Sequence, residues 1–161
     1  MARAKQPARL HGLLIIDKPA GWTSHDVVGK LRRLTGERQI GHAGTLDPMA
    51  TGVLPVAVGD ATRAIEFLAG ASKRYEAEIV FGVETDAHDA DGRVTRVASA
   101  STLDERQVRV ALTQFTGLFA QIPPMHAAIK VDGVKLYDLA RQGISIEREA
   151  RPVVVHEIDL V

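Results

Sequence analysis

Cysteine is absent from the 161 residues, which excludes a disulfide framework, a thiolate metal site and a cysteine nucleophile. Aromatic residues make up only 4 %, too few for a separate base-stacking platform. A net charge is missing as well: Lys plus Arg is 20 and Asp plus Glu is 20, for a formal charge of zero with His neutral. Any contact with nucleic acid must therefore come from local basic patches, because no global field supplies it. No run approaches the roughly 18 apolar residues of a membrane helix. The basic start MARAKQPAR leads only to Leu13–Ile16 before Asp17 and Lys18, too short an apolar core for a secretory leader. The default expectation is a cytoplasmic protein with no membrane contact.

What is present has the balance of a folded domain, with 45 % hydrophobic and 25 % charged residues and neither internal repeats nor low-complexity linkers. Residues 1–9 read as a loose basic arm with Arg3, Lys5 and Arg9. Leu13–Ile16 reads as a buried strand entering the Asp-Lys-Pro-Ala-Gly turn. Thr23 or Ser24 caps a helix with Val27, Val28, Leu31 and Leu34 on one stripe and Gly36 as its stop. Residues 41–60 hold glycines and prolines among apolar residues. They read as a buried, tightly turned loop feeding a strand over Val53–Val58.

Further along, Thr62–Leu68 predicts a short helix, and Arg74–Phe81 a strand with Tyr75, Ala77, Ile79 and Phe81 on one side. Thr102 with Glu105 makes a capping box for a helix ended by Gly117. Asp132-Gly133 between apolar runs signals a hairpin. A short helix is expected over Tyr137–Arg141, and a last strand runs from Arg151 to Val161, where the chain stops without a polar tail. That ending reads as an incomplete domain.

Several chemistries fail on spacing. No two of the histidines at 11, 25, 42, 88, 126 and 156 stand at i, i+4, so a zinc helix is excluded. The acidic group Glu84, Asp86, Asp89 and Asp91 misses the calcium-loop template, because the twelfth position from Asp89 is Ala100. Gly36-x-x-x-x-Gly41 is followed by His42 and Ala43 rather than the lysine and hydroxyl of a phosphate loop. Ser24-His25-Asp26 are sequence neighbours, which on a helix do not face one another.

What remains is Gly41-His42-Ala43-Gly44-Thr45-Leu46-Asp47-Pro48-Met49-Ala50-Thr51-Gly52, with one carboxylate among glycines and apolar residues. One reading is a turn aspartate bonding its own backbone. The other is a carboxylate kept ionised by a cationic partner and used as nucleophile or base.

GHAGTLDPMATGVLPVAVGDATR resembles the signature segment of the bacterial tRNA pseudouridine synthase B family. LLIIDKPAGWTSHDVV, KRYEAEIVFGVETDAHDADG and QIPPMHAAIKVDGVKLYDLARQGISIEREARPV resemble further segments of that family in the same order. The resemblance implies an α/β protein of the α+β type, with a mixed, largely antiparallel sheet flanked by helices. It implies isomerisation of uridine to pseudouridine in the tRNA T-loop (position 55). The bond from uracil N1 to ribose breaks, the base turns, and it rejoins through C5. Neither cofactor, metal nor an obligatory protein partner is implied.

On that resemblance Asp47 matches the family nucleophile and Tyr75 the tyrosine that stacks on the flipped uracil. His42 matches the histidine contacting the T-loop, Asp89 an acidic residue near the site, and Arg63 a basic residue usual at that place. Lys18 reads as structural support beside the site. Residues 10–161 would form the catalytic domain, with 121–152 an RNA-clamping thumb whose Lys130, Lys135, Arg141, Arg148 and Arg151 would meet T-arm phosphates.

A later family segment of the type S-K-G-T-Y-I-R, which carries an arginine partner for the aspartate, does not occur in the chain. The alternatives are therefore a non-catalytic piece that grips the T-arm and an aspartate-based nucleoside hydrolase. The basic thumb counts against the latter, since a nucleoside needs no phosphate clamp.

Overall fold

Leu13–Ile16 and Val53–Val58 do become strands, and they find each other. In the computed structural model, which describes residues 8–125, 130–131, 134–135, 139 and 143–161, β1 (Gly12–Lys18) pairs antiparallel with β3 (Gly52–Val58). The short β2 (Ile40–His42) lies antiparallel on the other side of β3, giving the order β1-β3-β2. The chain divides into two units, Met1–Glu76 and Ala77–Val161.

Pairing in register places Leu54, Val56 and Val58 on one face of the sheet with Ile16 and Ile40. Helix α1 (Ser24–Thr35) brings Val27 and Val28 to that face, and together they form the core, with Leu31 and Leu46 packed against it. The opposite face is not covered in the same way. Leu13 and Ile15 are exposed, as is Val53 near the strand end. The expected buried strand is thus a half-buried edge strand, because a single helix covers one side of it. Leu34 is exposed too, so the helical stripe ends at Leu31.

The helix is delimited at both ends. Thr23 is the N-cap, its hydroxyl accepting the Asp26 amide at 3.0 Å while the Asp26 carboxylate accepts the Thr23 amide at 2.9 Å. Gly36 takes the left-handed conformation with φ 72° and donates to the Arg32 carbonyl. Beyond it, the buried Glu37 carboxylate accepts the amides of Arg9 (2.7 Å) and Leu10 (3.1 Å), which ties the incoming segment to the unit. A 3-10 turn (Gly59–Ala64) leads into α2 (Ile65–Ala69), close to the expected helix.

In the second unit β4 (Val83–Thr85) pairs with β5 (Val94–Val97), and β6 (Gly117–Gln121) with β9 (Arg151–Val155), all antiparallel. Helix α3 (Glu105–Leu112) is capped by Asp104 with Gln107 rather than by Thr102 with Glu105. The Asp104 carboxylate takes the Gln107 amide at 2.7 Å and the Gln107 side chain takes the Asp104 amide at 2.9 Å. The register Lys130↔Lys135 and Val131↔Val134 of β7 (Lys130–Val131) and β8 (Val134–Lys135) leaves the two-residue connection that the Asp-Gly pair predicts. The helix expected over Tyr137–Arg141 falls mostly outside the described residues. The last strand ends at Val155 rather than Val161. The segment expected as a strand over Arg74–Phe81 has no ladder partner among the described residues, and Tyr75, Ile79, Val80 and Phe81 are all exposed.

Leu54→Ala should cost about 2–5 kcal/mol of unfolding free energy, against less than about 0.5 kcal/mol for Val53→Ala on the open face, as read by urea titration. Thr23 holds the Asp26 carboxyl below its ordinary pKa through its hydroxyl and then its amide, with His25 and Arg33 adding to the effect. A lowered folded pKa gives stability that is full above the unfolded pKa and lost as pH falls through the folded one. The melting-temperature gap between parent and Asp26→Asn should therefore be complete above about pH 4 and close below it.

Candidate active site

The connection Ala43–Thr51 between β2 and β3 carries Asp47. Positive φ at Gly44 (118°) and Gly52 (110°) marks its flanks, where a side chain would be strained. The Ala43 amide donates to the Pro55 carbonyl at 2.9 Å, keeping the start of the loop on the sheet.

Both neighbours of Asp47 are held. Leu46 turns inward onto the core, and the buried Ser24 clasps its main chain: the Leu46 amide donates to Ser24 Oγ at 3.0 Å, and Oγ donates to the Leu46 carbonyl at 3.3 Å. On the other side the Pro48 carbonyl accepts the Gly21 amide at 2.7 Å and the Lys18 ammonium at 3.3 Å. Lys18 is fully buried, and its Nζ also donates to the carbonyls of Pro19 (2.9 Å) and Trp22 (2.7 Å). The Ala50 amide closes a turn on the Asp47 carbonyl at 3.1 Å.

Asp47 is thereby fixed through the chain on either side of it while its own side chain is exposed. No group among the described residues bonds or pairs with its carboxylate. The expectation of a carboxylate enclosed among apolar groups is corrected. Leu46 takes the inward position of the turn, and Asp47, Pro48 and Met49 face outward. The turn exists, but the main-chain carbonyl makes it and the carboxylate stays available.

His42 sits half-buried on β2 opposite Val56, with Nδ1 against the Gly44 carbonyl. That carbonyl can only accept, so a hydrogen bond between them has Nδ1–H as its donor. Tyr75 is not the core residue that a strand face would make it: the residue is 68 % exposed on a segment without a ladder partner among the described residues. Arg63 is on the surface of the 3-10 turn, 4.0 Å from the Asp60 carboxylate, a distance at which a solvated pair contributes little.

Asp89, in the second unit, has its carboxylate on the Asp91 amide at 3.0 Å, and the Asp86 carboxylate takes the Arg93 amide at 2.8 Å. The acidic group is a solvated turn, and among the described residues no cluster of metal-ligating side chains occurs. Arg148 is half-buried with Nε unpartnered. Lys130 begins β7, and Arg141 lies outside the described residues.

Two positions that anchor the loop escape a reading by pattern. Ser24 looks like a spare cap beside Thr23, and only the fold shows it bonded across 22 positions to the loop. Gly21, with φ 79°, looks like turn punctuation until its amide is seen on Pro48. The available signal was the doubled hydroxyl: one residue caps, which leaves the other free.

Lys18→Met should cost about 1–3 kcal/mol by removing the buried donor to three carbonyls. Ser24→Ala should cost about 1 kcal/mol. Both should speed amide exchange at Ala50 while leaving β3 protected, and unchanged exchange would show that the loop holds its shape without them.

Among known proteins, residues 32–161 match the profile of the TruB family pseudouridylate synthase (N terminal domain). A tRNA pseudouridine synthase B from Symbiobacterium thermophilum is 51 % identical over 163 residues, covering 100 % of this chain and 54 % of the relative. Its counterpart from Heliobacterium modesticaldum is 48 % identical, covering 97 % of this chain and 51 % of the relative. The chain thus spans about half the length of the relatives it matches. In fold it is similar to a chain of a Cbf5-Nop10-Gar1 complex, with a TM-score of 0.53 and 24 % identity over 88 % of this chain and 32 % of the other.

Proposed function

Because the chain belongs to the TruB family of pseudouridylate synthases, we propose that it carries the nucleophile-bearing part of an enzyme that converts uridine to pseudouridine in the T-loop of tRNA. The observation that carries this reading is Asp47 itself, held on both sides by Ser24, Gly21 and Lys18 with its carboxylate exposed. A nucleophile has to be positioned without its lone pairs being spent, and this arrangement does so.

In this reading the glycosidic N1–C1′ bond of the flipped uridine breaks, the uracil turns, and a C5–C1′ bond forms. The proton leaves C5 and N1 gains one, so the reaction is an isomerisation. Asp47 adds to ribose C1′ or to the uracil ring, or assists loss of the C2′ proton. Tyr75, which is exposed, supplies a face for the extruded base and offsets part of the few kcal/mol of lost stacking. His42 meets the T-loop beside Asp47 in sequence. Arg63 and Arg148, with Lys130 and Arg141 of the thumb, take phosphates, and Asp89 orders the turn in which it stands. RNA is the macromolecular partner, in the cytoplasm.

A second reading is favoured by one fact: among the described residues no cation meets the Asp47 carboxylate. In that reading the chain grips the T-arm without performing chemistry.

Conversion of a T-arm hairpin to pseudouridine separates the two. The measurement takes this chain alone and this chain extended past Val161 by the carboxy-terminal half of the Symbiobacterium thermophilum relative. Conversion by the extended protein, lost at least about a thousandfold in Asp47→Ala, is the expected result. Binding without conversion by either protein would favour the second reading, and full activity in Asp47→Ala would remove Asp47 from the mechanism.

A further inference from the structure

Helix α1 has a glycine in its middle. Gly29 is not at positive φ, no turn requires it, and an interior helical glycine costs about 1 kcal/mol relative to alanine. The Arg33 guanidinium lies over it: a Cβ at Gly29 would stand 3.9 Å from Arg33 Nη1, an ordinary contact, whereas a longer side chain would meet the guanidinium. Toward the start of the helix, Gly21 removes a second side chain next to Trp22, the one tryptophan of the chain, which is 38 % exposed.

An open hollow of about 460 Å³ lies between these features, lined by Gly21, Trp22, His25, Asp26, Gly29 and Arg33. That is within the range of about 300–1,000 Å³ typical of ligand sites. Its chemistry is aromatic and ionic, with one carboxylate beside the guanidinium. The Asp26 carboxylate is engaged by the Thr23 amide at 2.9 Å and hydroxyl at 2.6 Å. Both bonds fall on Oδ2, so the hollow presents an indole, an imidazole and a guanidinium together with a carboxylate that keeps its charge and its Oδ1. Arg32, next to Arg33, is turned away and donates to the Ile40 carbonyl at 2.9 Å.

An aromatic face beside donors that match phosphate oxygens is how single-stranded nucleic acid is held. We propose that this hollow is a second RNA contact, in which an unpaired nucleobase stacks on Trp22 and its phosphate is held by Arg33 and His25. The inference rests on the RNA-substrate reading and adds to it a subsite remote in sequence from the Asp47 loop.

Trp22 is its own reporter, since no other tryptophan contributes fluorescence. The 161-residue chain is titrated with a fluorescein-labelled T-arm hairpin, following indole emission and fluorescein anisotropy together, with uridine monophosphate as a separate ligand. Saturable quenching that tracks anisotropy is expected. Trp22→Leu, Arg33→Gln and Gly29→Leu should each weaken the hairpin by roughly fivefold to a hundredfold, and Trp22→Phe by less. Arg33→Gln and Gly29→Leu leave the Lys18 bond to the Trp22 carbonyl intact, so they test the hollow even if Trp22→Leu unfolds.

Hairpin binding with silent indole emission, or unchanged affinity in Arg33→Gln and Gly29→Leu, overturns the subsite and leaves the RNA reading standing. Quenching by the mononucleotide as strong as by the hairpin makes the hollow a nucleotide site rather than an RNA contact. No anisotropy change at all overturns the RNA reading and the subsite together.

Discussion

A single ammonium group organises this site. Lys18 is the last residue of β1, and its chain runs into the interior to meet three carbonyls from two different loops. Burying a charge is costly unless it is fully hydrogen-bonded, so the arrangement is satisfied only when the Pro19–Trp22 turn and the Pro48 loop are both in place. The cation therefore acts as a condition on the local fold. Where it is met, the main chain on the Pro48 side of Asp47 is held in place. The Ser24 clasp on Leu46 repeats the same logic with a hydroxyl in place of a charge.

The rest of the first unit is lopsided. One sheet face is sealed by α1 to the point that Leu54 and Val56 are completely buried, while Leu13, Ile15 and Val53 are exposed on the other side. A three-stranded sheet with a helix on one face can bury only about half of its apolar side chains. In the Arg74–Phe81 segment the alternation of a strand is present without a ladder partner among the described residues, and its apolar residues are exposed on both sides.

Local signals were legible where a single residue type sets the geometry. Gly36 stops α1 and Thr23 caps it, as the residues imply. Burial was less legible, because Leu13–Ile16 carries the same letters whether one or two layers cover it. The α3 cap shifted because Thr102-x-x-Glu105 and Asp104-x-x-Gln107 both offer a reciprocal pair, and pattern alone does not rank them. At the site, Asp47 stood out as the lone carboxylate of an apolar, glycine-rich loop. Its anchors did not, because Lys18, Gly21 and Ser24 act on main-chain atoms that every residue shares.

The pairing of His42 with Gly44 has one more consequence. With Nδ1 committed to a carbonyl that can only accept, the neutral ring offers a lone pair at Nε2. Any further contact of the ring is therefore made at the edge away from Gly44, in a direction that the Nδ1 bond fixes.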